Sequence, residues 1–275
     1  MKRNPKIGLL PLYLKLYDEV TPERRAEFLP FLDEVAKSLT GESLDVVRAD
    51  ICRIAPEFEA AVAMFKAERV DLIVTLHLAY SPSLEAVYPL CSTEIPILML
   101  DTTMDESFGP DVDASRIMYN HGIHGVQDLA CMLRRRGQSY RVVAGHYRNP
   151  RLIARAAQIA RGALAARKLI GARALRIGPS FPGMGDFRVE LGVLREHLDI
   201  TVSDLPACGL KAAVSAVTEA EIRAEIELDR ERYQVEADDA AHARSVRVGL
   251  GVRRLLAEGG YDAFSANFLA FDQAE

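Results

Sequence analysis

The chain has 275 residues, more than one small core needs and comfortable for two. Apolar residues make up 49% and charged residues 27%, which is the balance of a folded protein and excludes a mostly disordered one. The formal charge of -5 and a pI near 5.8 argue against nucleic acid as the main partner, because neutralising phosphates takes a basic face. A small or neutral ligand fits better.

The four cysteines, at 52, 91, 131 and 208, show no CxxC spacing, so neither a zinc knuckle nor a disulfide framework is indicated. Reduced thiols of a cytoplasmic protein are the plain reading. The apolar run after Met1-Lys2-Arg3-Asn4-Pro5-Lys6 is broken by Pro11, Lys15 and Asp18, which argues against a signal peptide. No later run approaches the ~20 apolar residues of a membrane span.

In chain order, residues 6–12 are an apolar run suited to a buried parallel strand. Thr21-Pro22-Glu23 then predicts a helix start, with Pro at the first helical position, and the helix is expected to run to about Leu39 before Gly41. Residues 44–47 read as a second strand, 56–69 as a helix and 72–76 as a third strand covered on both faces. A short helix is expected from Ser81-Pro82, and a fourth strand over 97–100. Residues 125–136 predict an amphipathic helix whose Arg134-Arg135-Arg136 end, before Gly137, complements the helix dipole. A fifth strand follows over 141–144, and Asn149-Pro150 caps a long helix over 151–168.

The theme then repeats with fewer strands. Residues 174–177 read as strand, 186–198 as helix, 200–202 as strand and 263–268 as a last strand. Thr218-Glu219-Ala220-Glu221 is a capping box for a charged helix to about Gln234, and another helix spans 239–258. Strands alternating with amphipathic helices imply right-handed crossovers and open parallel sheets. The expected fold is α/β with two open parallel-sheet domains of flavodoxin- or Rossmann-like type: an N-terminal domain over 1–172 and a smaller, partial domain over 173–275.

Ligands of such sheets bind beyond the carboxyl ends of the strands. That position makes Tyr13, Lys15, His77, Tyr80, Asp101 and Thr102 candidates. His121 and His124 sit three apart between glycines, where they could bind metal, move a proton, hydrogen-bond a sugar hydroxyl or cap the helix. The acidic stretch Asp101, Asp105, Glu106, Asp111 and Asp113 lacks the alternation and closing Glu of an EF-hand, so a solvated loop is the plainer reading. The turn over 178–186 is rich in Gly and Pro but lacks the Gly-Lys-Ser/Thr ending of a phosphate loop. Cys91 and Cys208 could be the two thiols of a cofactor-independent racemase, although their flanking residues do not match.

The stretch HGIHGVQDLACMLRRRGQSYRVVAGHY resembles the N-terminal region of L-arabinose isomerase and its L-fucose isomerase relatives. Leu16-Tyr17, the turn Arg176-Ile177-Gly178 and the closing LAEGGYDAFSANF extend the resemblance over most of the chain. It implies a metal-dependent aldose–ketose isomerase family working through an enediol, usually with manganese, in homo-oligomers whose active sites lie at subunit interfaces. His124 falls where the family has a substrate-contacting histidine, and Phe181 where an apolar residue lines the sugar pocket. Leu14 stands about where arabinose isomerases carry a polar substrate-binding residue, with Tyr13 and Lys15 flanking it. The family's metal ligands come from a later segment, so no metal ligand is expected among these residues. The alternative is a non-catalytic sugar-binding or regulatory α/β module.

Overall fold

The computed structural model describes residues 3–187 and 190–269, with only the backbone of Asp186. The chain divides into two compact units, Met1–Arg167 and Lys168–Glu275.

The first unit begins with strand β1 (Lys6–Leu12), followed by helices α1 (Lys15–Val20), α2 (Arg24–Glu27) and α3 (Leu29–Gly41). Strand β2 (Asp45–Arg48), α4 (Ala55–Ala67), β3 (Leu72–His77), α5 (Ser83–Cys91) and β4 (Ile97–Asp101) come next. A 3-10 turn, Ala114–Tyr119, leads to α6 (Gly122–Arg135), β5 (Tyr140–Ala144) and α7 (Pro150–Leu169). The single helix expected from Thr21 to Leu39 is two helices, α2 and α3. Pro30 gives the physical reason: its ring would clash with the carbonyl of Ala26 in a continuous helix, whereas α3 takes it in its first turn.

The five strands form a parallel sheet in the order β2-β1-β3-β4-β5. Period-2 alternation sends Leu72, Val74 and Leu76 to one face and Ile73 to the other. The first face is closed by Phe31, Leu32 and Val35 of α3 and by Ile153, Ala156 and Ala160 of α7. Phe58, Phe65, Val87, Leu90, Leu129 and Leu133 of α4, α5 and α6 close the second. Burial on both faces is why these strands are nearly continuous apolar runs. The buried carboxylate of Asp71 fastens the base of β3: it accepts a bidentate pair from Arg3 (2.6 and 2.7 Å), the Lys6 N–H (2.9 Å) and Arg167 (3.2 Å).

The second unit contains β6 (Arg173–Ile177), α8 (Leu191–Leu198), β7 (Thr201–Leu205), α9 (Ala207–Ser215), α10 (Glu219–Arg232), α11 (Asp239–Gly259) and β8 (Ala263–Ala266). Its sheet is parallel, in the order β7-β6-β8. The core is small, built on Leu175, Ile177, Leu210, Val214 and Val252. The capping box is present at Thr218 and Glu221. Residues 186–198, expected as one helix, give a short 3-10 turn and then α8, which buries none of its side chains. Helix α9 was not foreseen.

Among the described residues, no helix is long and apolar enough to cross a membrane.

Candidate functional site

The first sheet has one crevice where connections leave in opposite directions on adjacent strands, between β1 and β3. Polar side chains of the first unit gather beyond the carboxyl ends of β1, β3, β4 and β5. Tyr17 of α1 brings its hydroxyl to 3.3 Å from Nε2 of His121, the N-cap residue of α6. One turn on, His124 is exposed and donates Nδ1–H to the His121 carbonyl at 3.2 Å, which leaves Nε2 pointing away from the backbone partner. The two imidazoles are 6.1 Å apart, and His121 lies 6.1 Å from the Tyr17 ring. Burial, and then the neighbouring His124, hold His121 below its ordinary value, so its ring is neutral near pH 7. Burial raises the Tyr17 hydroxyl. Tyr17 and His121 thus offer neutral donors and acceptors, the chemistry that grips a hydroxylated ligand.

Around this centre the acidic stretch is already occupied. Asp105 receives Arg116 through two bonds (2.9 and 2.8 Å) and the Asn120 amide at 2.6 Å, while its own N–H donates to Asn120 Oδ1 at 2.9 Å. Asp113 accepts the Ser115 N–H at 2.8 Å. These carboxylates brace the loop that delivers Asn120 and His121. Asp101, at the end of β4, is half-buried, and burial alone raises its carboxyl. His146, after β5, donates Nε2–H to the Met104 carbonyl at 3.3 Å.

The residues singled out from sequence fall in different places. Lys15 opens α1 and is exposed, and His124 lies on the exposed side of the first turn of α6. Tyr13 is 1% exposed, with its ring packed edge-on against Tyr17 and Phe28 at 5.8 and 5.6 Å, so it supports the crevice from below. Its hydroxyl is pushed up to about 12, chiefly by burial. His77 closes β3 beneath the rim and is 2% exposed. Sequence reasoning missed Tyr17 as the partner of His121, and the 104 residues between them leave no local signal. Beside β2, a cleft of about 610 Å³ is lined by Arg25, Arg53 and Glu57 among others, but Arg53 is bound to Asp18 and Glu57 and Arg25 to Asp18.

In the second unit Phe181 lies in the turn after β6, 4.9 Å from the Phe268 ring and 6.2 Å from that of Phe187. These rings line a cavity of about 380 Å³ with Gly178, Ser180, Ser265 and Asn267, at the carboxyl ends of β6 and β8. Gly178 adopts a φ of 76°, which turns the chain away from β6. Asn267 ties the far side by donating to the Pro179 carbonyl at 2.9 Å. Arg176, at the wall, is held by two bonds to Asp204 (2.6 and 3.0 Å). An apolar floor with amide and hydroxyl groups at its edge suits a small polar molecule with one apolar face.

Among the described residues, no group of three or more His, Cys, Asp or Glu side chains could hold a metal ion. The His121–His124 pair has no carboxylate within hydrogen-bonding distance to complete a ligand set. The residues described here therefore do not fit the manganese centre that the resemblance implies. The racemase reading also loses support, since burial raises the half-buried Cys91 thiol, opposite to what a thiolate base needs.

Two open parallel sheets define the class: an α/β protein of two parallel-sheet units. Its sequence is similar to that of L-arabinose isomerases, with 27% identity over 207 residues to the enzyme of Nocardioides sp.. Identity is 29% over 210 residues for Mycolicibacterium smegmatis and 24% over 224 for Shouchella clausii. The first two matches cover 72% of this chain and 41% of the relative, so the chain spans under half the length of these proteins. No family model matches. A periplasmic solute binding protein of an ABC transporter from Actinobacillus succinogenes 130z, solved with bound D-allose, aligns over 94% of this chain and 74% of its own at 16% identity. Its TM-score of 0.27 carries no argument.

Proposed function

We propose that the chain is the sugar-contacting part of an aldose–ketose isomerase of the arabinose isomerase kind. The similarity to L-arabinose isomerases over 72% of the chain carries the reading. The Tyr17–His121–His124 rim supports it, because sugar hydroxyls are gripped by such hydrogen-bond donors and acceptors. In this reading His124 and Lys15 meet the substrate at the rim of the first unit, Tyr13 backs them, and Phe181 offers an apolar face in the second.

The proposed reaction moves a proton between adjacent carbons of the sugar through an enediol. A divalent metal, manganese by family resemblance, would supply the polarisation of the oxygens, held by residues other than those described here. The rim's part is to bind and orient the sugar. The proposed setting is a cytoplasmic homo-oligomer in which the rim of one copy faces the reaction centre of another.

Isothermal titration of the chain with L-arabinose tests this reading. The expected result is weak, saturable binding that His124→Gln reduces roughly tenfold, a loss of about 1.4 kcal/mol. Absence of binding to L-arabinose and its ketose would overturn it. Turnover at ordinary enzyme rates by this chain with manganese would contradict the placing of the metal on residues other than those described.

A further inference from the structure

Helix α6 approaches the end of β3 more closely than side chains allow. A Cβ on Gly122 would stand 2.7 Å from the His77 carbonyl oxygen and 3.2 Å from its Cβ. A Cβ on Gly125 would stand 2.5 Å from Cδ2 of the His77 ring, 3.1 Å from the Ser81 nitrogen and 3.2 Å from His77 Nε2. Gly125 of the HGIHG stretch is thus the contact point of the helix on the imidazole, and Gly122 its contact point on the backbone of the same residue. Gly122 follows His121 and Gly125 follows His124, so both rim histidines are one bond from the contact.

We infer that His77 is a positioning residue: its buried ring, seated against the bare α-carbon of Gly125, sets where the first turn of α6 holds His121 and His124. Flat and narrow, an imidazole fits beneath a glycine-lined turn where branched Leu or the wider ring of Phe would press the helix outward. The seat is costly. Neither ring nitrogen has a hydrogen-bond partner, and Ser81 Oγ and Thr75 Oγ1 are likewise buried without partners. That cost is borne by a ring whose flat shape the space beneath the turn requires. Burial holds the ring neutral, with Asp128 opposing only weakly, so no charge disturbs the seat near pH 7.

The inference deepens the proposed function by naming what fixes the geometry of its rim, and it can be tested without sugar. The measurement is the histidine ring proton–carbon spectrum of the whole chain, with His121 and His124 assigned by His→Gln replacement and the Tyr17–His121 contact read as a nuclear Overhauser effect. Gly125→Ala and His77→Ala should each move the His121 and His124 signals and abolish the contact, while His197 and His242 in the second unit keep their positions. In the double variant the added methyl enters the space the ring has left, and the His121 signals should return toward the wild-type positions. His77→Asn, a smaller flat group, serves if Gly125→Ala fails to fold; it should displace the two signals less than His77→Ala. Unmoved His121 and His124 signals in a folded single variant, or single effects that merely add in the double variant, would overturn the inference. If the signals move as expected but L-arabinose does not bind, the positioning role stands and the sugar reading falls.

Discussion

His77 stores a pH dependence in the fold. Its value is lowered from the ordinary 6.5 to about 3 by burial, so between those limits the unfolded chain binds a proton that the folded chain refuses. Stability is therefore unaffected by this group above about pH 6.5 and falls as pH drops toward 3, at most by about 1.4 kcal/mol per pH unit. Urea unfolding of wild type and His77→Leu at pH 6.5 and 5 should show the wild type losing more stability than the variant over that interval. Parallel losses would mean that His77 accepts a proton in the folded protein. The histidine pair on the rim was legible from its glycine-flanked spacing, but the reason for the glycines was not. Gly125 is demanded by a ring 48 residues earlier in the chain and Gly122 by the backbone carbonyl of that same residue, and no local pattern shows such contacts.

At the scale of elements, apolar runs and helical periodicity revealed the parallel strands and the long helices, because both faces of the first sheet are covered. What failed has specific causes. Pro30 breaks the run from Thr21 to Leu39, and α9 is nine residues rich in Ala with one Gly, too short to display a periodic stripe. Asp71 is the element-scale fastening that a sequence reading passes over. Burial disfavours its charge, but the bonds from Arg3 and Lys6 and the charge of Arg167 outweigh that and lower its value below the ordinary carboxylate range. Stability from this group is present above about pH 4 and is lost as pH falls through the lowered value. Asp71→Ala should cost about 3 kcal/mol in urea unfolding, because it strands the Lys6 N–H and two guanidinium groups at the foot of β3. A cost below about 1 kcal/mol would show that solvent already screens the cluster.

For the whole molecule, two open parallel sheets were readable from the alternation of strands and helices, while the order of their strands and the furnishing of their carboxyl ends were not. Phe181 could be placed in the turn after β6, but its meeting with Phe268 depends on the pairing of β6 with β8, which the sequence does not state. Tyr13 and Lys15 are near neighbours in sequence, yet one is core and the other is exposed, because α1 starts between them and turns the chain. The account's central claim is that the α6 rim of the first unit meets a sugar. Titrating L-arabinose into the whole chain while following its histidine ring signals tests that claim most directly. Saturable shifts of His121 and His124, with His197 and His242 unmoved, are predicted; rim signals that stay fixed while the sugar binds would contradict it.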